Sequence, residues 1–216
     1  MVHKLSVMKG NYVITIGRQL GSGGREIGHK LAARLNMLFF DKELIRIAAQ
    51  ESGIQEDIFE EADEKRTHSL FGGLIDLRGF QPDEVYPNYY LSNEMLFKVQ
   101  ADVIRRLAGE KSCLFVGRCS DYILKDHPRC LNVFVSADMS DRIRRVAATH
   151  NITEDKAEDF IQKIDKKRAE YYRYFSGKVW GAAPSYHLCV NSSALGIDET
   201  VSFICGFAEK KFELQL

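Results

Sequence analysis

The sequence contains no long apolar run and no excess of charge of either sign. No stretch approaches the roughly 18 consecutive apolar residues that a helix needs to span a bilayer. Lysine plus arginine number 30 and aspartate plus glutamate number 30, so the formal net charge is zero. Without a general basic field, we expect no nucleic-acid or membrane-surface partner, and each basic residue is interpreted by its position.

Patterns of cysteine and histidine that would indicate disulfides or a structural metal are also missing. The five cysteines are odd in number and include no C-x-x-C pair. The six histidines show no H-E-x-x-H spacing. Residues 1–10 lack the apolar run and the small-residue cleavage site of a signal peptide. We therefore expect a cytoplasmic protein with reduced thiols and no structural metal.

The sequence does have the composition and the apolar patterning of a globular α/β protein. Hydrophobic residues make up 45% of its 216 residues and charged residues 28%, which is ordinary for a folded domain. Short apolar runs such as Cys113–Val116 and Leu131–Val135 alternate with stretches of helical periodicity. This alternation predicts a parallel sheet with helices on both faces, formed by residues 1–216 as one domain.

The element boundaries follow from the apolar runs and from capping residues. Strands are predicted at residues 12–16, 37–40, 113–116, 131–135 and 186–190, and a closing helix at residues 197 to about 212. Asn93 is expected to cap a helix that ends near Gly109, and Thr153 is expected to cap a long charged helix. Residues from about 54 to 91 combine a charge cluster with glycines, prolines and aromatics, and are interpreted as an irregular insertion.

A glycine-rich loop between the first strand and the first helix is the strongest functional signal. Backbone N–H groups of such a loop form a concave nest, and the following helix N-terminus adds partial positive charge. This predicts binding of nucleotide phosphates; the alternative is a tight turn without a ligand. The candidate phosphate-binding residues are Arg18, Gly21, Ser22, Gly23, Gly24, Arg25 and Glu26.

The loop matches the P-loop pattern G-x-x-x-x-G-K-[ST] imperfectly, in two possible registers. One register puts Gly24 at the lysine position; the other makes Gly24 the final glycine, Arg25 the cation and Glu26 the residue at the magnesium position. The second is chemically more coherent, because a guanidinium binds phosphate oxygens and a carboxylate can hold Mg²⁺. Neither supplies the usual lysine, so phosphate binding is indicated more firmly than catalysis. A dinucleotide pattern starting at Gly21 would need glycine at position 26, which makes NAD(P) a distant alternative.

Several segments together resemble the cytidylate kinase-like family, a divergent branch of P-loop nucleoside monophosphate kinases. They are Ile14–Gly28, Phe40–Ile45, Phe115–Leu124, Asp165–Tyr172, Gly177–Trp180 and Leu188–Ser193. The resemblance implies a P-loop NTPase-like three-layer sandwich around a five-stranded parallel sheet. It also implies a monophosphate-binding region at 54–91 and lid-flanking helices at about 142–178. The implied chemistry is transfer of the ATP γ-phosphoryl group, with Mg²⁺, to CMP, a similar nucleoside monophosphate or a related small phosphate acceptor.

The resemblance also assigns residues to the site. Asp41, Arg118 and Asp121 would face the acceptor, and Arg118 directly follows a buried strand at the ligand-binding edge of an α/β sheet. Arginines would surround the transferring phosphoryl group, some of them from the lid: Arg25, Arg118, Arg142, Arg145, Arg168 and Arg173. Structural alternatives remain for these residues, namely an Arg118–Asp121 ion pair, a helix N-cap at Asp41, and solvated helical faces for the lid arginines.

Departures from the family pattern leave the function open. The family has G-R-D where this chain has Gly117-Arg118-Cys119, so the acid that helps to read cytosine is replaced. The first alternative is therefore a non-catalytic nucleotide-binding or regulatory protein that has kept the kinase fold. The second is a kinase of a different small-molecule acceptor. Neither the oligomeric state nor a metal ligand beyond the candidate Glu26 is predicted.

Overall fold

The computed structural model describes residues 10–41, 44, 47, 50–51 and 88–214. The strands are β1 Val13–Arg18, β2 Leu38–Phe40, β3 Cys113–Val116, β4 Cys130–Ser136 and β5 Leu188–Asn191. The helices with defined bounds are α1 Gly24–Arg34, α2 Asn88–Glu110, α3 Ser120–Ile123, α4 Met139–His150, α5 Glu154–Ser176 and α6 Ser192–Phe212. Most of the predicted insertion at 54–91 lies outside the described residues.

All five strands pair in parallel, in the order β2-β3-β1-β4-β5. The prediction of a five-stranded parallel sheet is therefore confirmed. The central strand β1 pairs on one side with β3 and on the other with β4, and residues Val13 to Ile16 are buried. Burial on both faces explains why these strands are continuous apolar runs rather than alternating patterns.

Helices cover both faces of the sheet, as the three-layer prediction requires. On one face, Leu31 of α1 and Ile204 of α6 are fully buried in the largest apolar cluster. On the other face, Ile104 of α2 packs with Phe115 of β3 in a second cluster. The carboxyl edge of the sheet lies between these layers, and the loops that follow the strands meet there.

Two helix starts differ from the prediction. Helix α2 begins at Asn88, so Asn93 lies inside the helix and is not its cap. Helix α6 was expected to begin at residue 197 but begins at Ser192, directly after β5, and contains Gly196 at a non-helical φ of 75°. Asn191 accepts a hydrogen bond from the N–H of Ser193, which fixes this early start.

Helices α4 and α5 form a hairpin with an apolar core of its own. Val146 of α4 is buried against Ala157, Phe160 and Ile161 of α5. The far end of α5 packs on α2, where the ring of Phe175 stacks on that of Phe97 with centroids 4.0 Å apart. Within the described ranges, no helix has the length and apolar character needed to cross a membrane.

Candidate phosphate-binding site

The glycine-rich loop connects β1 to α1 and adopts a backbone shape that glycine favours. Gly21 and Gly23 have positive φ angles of 77° and 75°, and Gly23 occupies the N-cap position of α1. Ser22 between them is fully buried, and its hydroxyl donates to the carbonyl of Gln19. The strand–loop–helix arrangement of an anion-binding loop is present at the predicted place.

Main-chain donors at the start of α1 are available to an anion. Gly24 N–H donates weakly to Ser22 Oγ at 3.4 Å, and Ile27 N–H donates to the carbonyl of Gly23. The N–H groups of Arg25 and Glu26 have no acceptor among the described residues, as is usual in the first turn of a helix. Together with the positive end of the helix dipole, they make this turn a favourable place for phosphate oxygens.

Three arginines approach one another beside this loop. Burial, followed by repulsion from Arg168 and also from Arg118, lowers the pKa of Arg18 to about 9. Burial also lowers the pKa of Arg168, with Arg118 contributing in the same direction. Asp41 and Asp165 oppose both of these pKa shifts, so the two carboxylates compensate part of the mutual repulsion of the arginines. An anion placed among them would relieve that repulsion.

Asp41 lies at the end of β2 and already contacts two of the predicted phosphate-binding arginines. Arg25 Nε donates to Asp41 Oδ2 at 2.6 Å, and Arg18 Nη2 lies 3.7 Å from Asp41 Oδ1. The structure thus brings together residues that the sequence assigned separately to the donor and the acceptor. The Arg25 side chain is 67% exposed, so solvent weakens its ion pair.

Arg118 follows β3 in an unusual turn. Gly117, Arg118 and Cys119 have consecutive positive φ angles of 79°, 59° and 53°. The guanidinium of Arg18 lies directly against Gly117, where a side chain would collide with it. Left-handed backbone is costly for the two non-glycine residues. This turn brings Arg118 to the arginine group and leaves the thiol of Cys119 buried, where burial and Asp121 raise its pKa.

The lid arginines have different surroundings. Arg142, only 4% exposed, donates through Nε to the carbonyl of Leu20 and through Nη2 to Asp165. Arg145 donates to the carbonyl of Gly21 at 3.0 Å, and Arg168 to the carbonyl of Arg18 at 3.2 Å. These three arginines therefore contact the loop itself.

Arg173 differs from the other lid arginines. It lies in the last turn of α5 and is exposed. Among the described residues, no ion pair or hydrogen bond joins its side chain to the glycine-rich loop.

Asp121, a candidate acceptor-binding residue, is a buried carboxylate that accepts a hydrogen bond from a tyrosine. Tyr172 Oη donates to Asp121 Oδ2 at 2.6 Å. Burial raises the pKa of Asp121, although this hydrogen bond and the charge of Lys178 oppose the rise. Burial and the same hydrogen bond raise the pKa of Tyr172. This hydrogen bond joins α3 to α5.

The raised pKa of Asp121 predicts a pH dependence of stability. The pKa of this carboxyl is higher in the folded state than its ordinary value of 3.8. At pH values between these two pKa values, the folded state therefore binds more protons than the unfolded state. Its contribution to stability is therefore greatest below about pH 4 and decreases as pH rises through the folded pKa. The substitution Asp121→Asn removes the titrating group and keeps an acceptor for Tyr172. We expect the free energy of unfolding of this variant, relative to that of wild type, to increase from pH 4 to pH 7. Urea unfolding at each pH measures this difference. A decrease of the difference between pH 4 and pH 7 would contradict the raised pKa of Asp121.

Glu26 was the candidate ligand for Mg²⁺. It lies in the first turn of α1, is 57% exposed, and contacts Lys30 at 2.9 Å in an i,i+4 pair. Such exposed pairs contribute little, so the carboxylate is accessible. Among the described residues, no group of three acidic, histidine or cysteine side chains forms a metal cage. Mg²⁺ commonly uses one or two carboxylates together with substrate phosphates, and Glu26 fits that use.

Two contacts to the loop were missed at the sequence level. Ser192 Oγ at the start of α6 donates to the carbonyl of Ser22 at 2.7 Å. Asp165 accepts from the N–H of Leu20 at 2.8 Å, and burial raises its pKa despite this bond and nearby Arg142. The sequence offers one signal for Asp165. This acidic residue lies at helical spacing within the series of buried residues Ala157, Ile161 and Tyr172, where an apolar residue would be expected.

Solved structures share this fold. An uncharacterized protein from Eubacterium ventriosum is 23% identical with a TM-score of 0.69, covering 92% of this chain and 99% of its own. A shikimate kinase from Bacteroides thetaiotaomicron is 14% identical with a TM-score of 0.53, covering 94% and 99%. A shikimate kinase from Acinetobacter baumannii, solved in complex with shikimate, is 13% identical with a TM-score of 0.51, covering 93% and 94%. At these identities the likeness concerns the fold alone.

Sequence comparison gives a more specific result. No curated protein matches the chain. The model of the cytidylate kinase-like family matches residues 13–194, which include β1, the glycine-rich loop, the Arg118 turn, the α4–α5 hairpin and β5. Because the match extends over most of the sequence, the chain belongs to the cytidylate kinase-like family.

Proposed function

We propose that this protein transfers the γ-phosphoryl group of ATP to a small phosphate-bearing acceptor, with a nucleoside monophosphate such as CMP as the first candidate. The observation that carries the proposal is the group of arginines beside the glycine-rich loop, where Arg168 donates to the carbonyl of Arg18 and the Arg18 guanidinium lies against Gly117, the residue before Arg118. Phosphoryl transfer requires aligned phosphates and cations around the transferring oxygens, and little covalent help from the protein. The N–H groups of the loop would align the phosphates, and the arginines would provide the cations.

The chain's residues divide between the two phosphates. The N–H groups of Arg25 and Glu26 bind donor phosphate oxygens, and the Arg25 guanidinium leaves Asp41 to join them. Arg118 and Arg18 bind the acceptor phosphate at the ends of β3 and β1, while Asp41 orients the acceptor. Glu26 would hold Mg²⁺ together with the nucleotide, and the ion would supply positive charge to the donor phosphates. No general base is needed, because a phosphate acceptor is already an anionic nucleophile.

The acceptor is the least determined part of the proposal. Cys119, which replaces the family's acid, is a buried thiol and cannot supply a carboxylate to a base. This favours a second candidate, in which the same site phosphorylates a different small molecule. Residues 1–216 are proposed to act as one domain, with the hairpin of α4 and α5 next to the donor.

Incubation with ATP, Mg²⁺ and a panel of acceptors tests the function. We expect mass spectrometry to detect ADP and the corresponding nucleoside diphosphate from at least one nucleoside monophosphate. Products from small alcohols or other phosphate esters alone would favour the second candidate. ATP binding by calorimetry without any product would instead identify a nucleotide-binding protein that lacks turnover. Arg105→Ala, an exposed substitution on α2, is the control variant and should retain the activity of wild type.

A further inference from the structure

The α4–α5 hairpin binds both main-chain groups of one residue in the glycine-rich loop. Asp165 Oδ1 accepts from the N–H of Leu20 at 2.8 Å, and Arg142 Nε donates to the Leu20 carbonyl at 2.7 Å. Arg142 and Asp165 also form an ion pair with each other. One arginine and one carboxylate from two helices thus form a closed ring of hydrogen bonds around a single peptide segment.

The side chain of Leu20 provides a third attachment. It packs against the hairpin's own apolar core, which contains Val146 and Ile161. The flanking residues are attached as well, because Arg168 and Arg145 donate to the carbonyls of Arg18 and Gly21. The first half of the loop is therefore held by the hairpin, while the second half continues into α1.

These contacts differ from those of a freely swinging lid whose arginines wait for phosphate. The Arg142 side chain is 5% exposed and that of Asp165 is 15% exposed. Two of the three Arg142 side-chain nitrogens, Nε and Nη2, and both Asp165 oxygens already have partners within the protein. Releasing either would leave a buried charge or a buried peptide group without a partner, which is unfavourable. Arg142 is consequently a poor phosphate ligand and a good structural anchor.

We infer that Arg142 and Asp165 are positioning residues that fix Leu20 and thereby set the shape in which the loop presents its N–H groups to donor phosphates. The inference rests on the proposed function for its ligand, since the loop must bind polyphosphate. The hairpin and the first half of the loop then behave as one body, and hairpin movement carries the loop with it. A further consequence is that Asp165 does not bind the acceptor.

Variants of the pair, compared with a neighbouring arginine, test the inference. The test variants are Arg142→Met, Asp165→Asn and the double change Arg142→Met with Asp165→Leu. The double change replaces a buried ion pair by apolar groups, which commonly preserves folding even where single changes do not. The control is Arg144→Ala on the same helix, whose side chain is 72% exposed and contacts Asp141.

Two readouts separate this inference from the proposed function. Hydrogen exchange without nucleotide should show at least tenfold faster exchange of the Leu20 amide in the folded double variant, with Arg144→Ala unchanged. Calorimetry should show at least tenfold weaker ATP binding in the test variants, and kinetics should show a raised ATP KM with little change in the acceptor KM.

Unchanged exchange of the Leu20 amide in the double variant would overturn the inference. An acceptor KM that rises while ATP affinity is unchanged would also overturn it, by assigning Asp165 to the acceptor. If wild type binds no ATP, the proposed function fails and the exchange result alone decides whether the pair holds the loop.

Discussion

Replacement of Arg118 by alanine is expected to lower kcat/KM for phosphoryl transfer by about a thousandfold or more while the protein stays folded. Cations that stabilise the transferring phosphoryl group contribute about 10³ to 10⁵ in rate in comparable enzymes. Arg118 lies with Arg18 and Arg168 beside the loop, and its charge contributes to lowering the pKa of both. Removing it takes one cation from the proposed acceptor phosphate. It also reduces repulsion in the free protein.

The measurement is steady-state kinetics combined with thermal unfolding. The melting temperature of Arg118→Ala, measured beside the kinetics, separates a functional loss from a folding defect. Arg105→Ala removes an arginine of α2 whose ion pair is with Asp102, and should retain full activity. Wild-type turnover in Arg118→Ala would show that this side chain has no part in transfer.

Replacement of Gly21 by alanine is expected to weaken ATP binding at least tenfold and to destabilise the fold. Gly21 has a φ of 77°, and a Cβ there would lie 2.7 Å from the carbonyl oxygen and 2.9 Å from the Cα of Arg142. These are main-chain atoms of a packed helix, so they cannot move aside as a flexible side chain could. Left-handed strain in a non-glycine residue costs about 1–3 kcal/mol, and the collision adds to it.

Gly206→Ala is the matched control for this change. Gly206 lies within α6, and a Cβ there would have no heavy atom within 4 Å. Alanine should stabilise that helix by up to about 1 kcal/mol and leave ATP affinity unchanged. Urea unfolding and calorimetry measure both variants. Equal stability and equal ATP affinity of Gly21→Ala and wild type would show that the loop shape does not depend on contact with the hairpin.

The sheet could be predicted from sequence because its signals are local. Strand β3 was predicted with its observed bounds, since four apolar residues stand between Ser112 and Gly117. The start of α2 could not be predicted in the same way. A capping preference at Asn93 competed with aromatic residues before it, and the helix includes that aromatic stretch from Asn88 onward.

The position of the candidate site could be predicted from the sequence better than the contacts between its residues. The order of strand, glycine loop and helix identified the loop, and the ends of β2 and β3 identified Asp41 and Arg118 as candidates. The sequence could not show that Arg142 meets Asp165, because 23 positions separate them and the pairing depends on how α4 and α5 pack. For the same reason the sequence could not show the hydrogen bond between Asp121 and Tyr172, which lies on a distant helix.

The order of strands in the sheet has a consequence for how the chain is made. Of the five described strands, β1 comes first in the sequence and becomes the central one, and its two neighbours are β3 and β4, which begin at Cys113 and Cys130. During synthesis, β1 has neither of these neighbouring strands beside it until Cys113 and the residues after it have been made. Such non-local pairing slows folding and leaves apolar segments open to aggregation. Synthesis of this protein should therefore be sensitive to chaperones that shield β1 until β3 has been made.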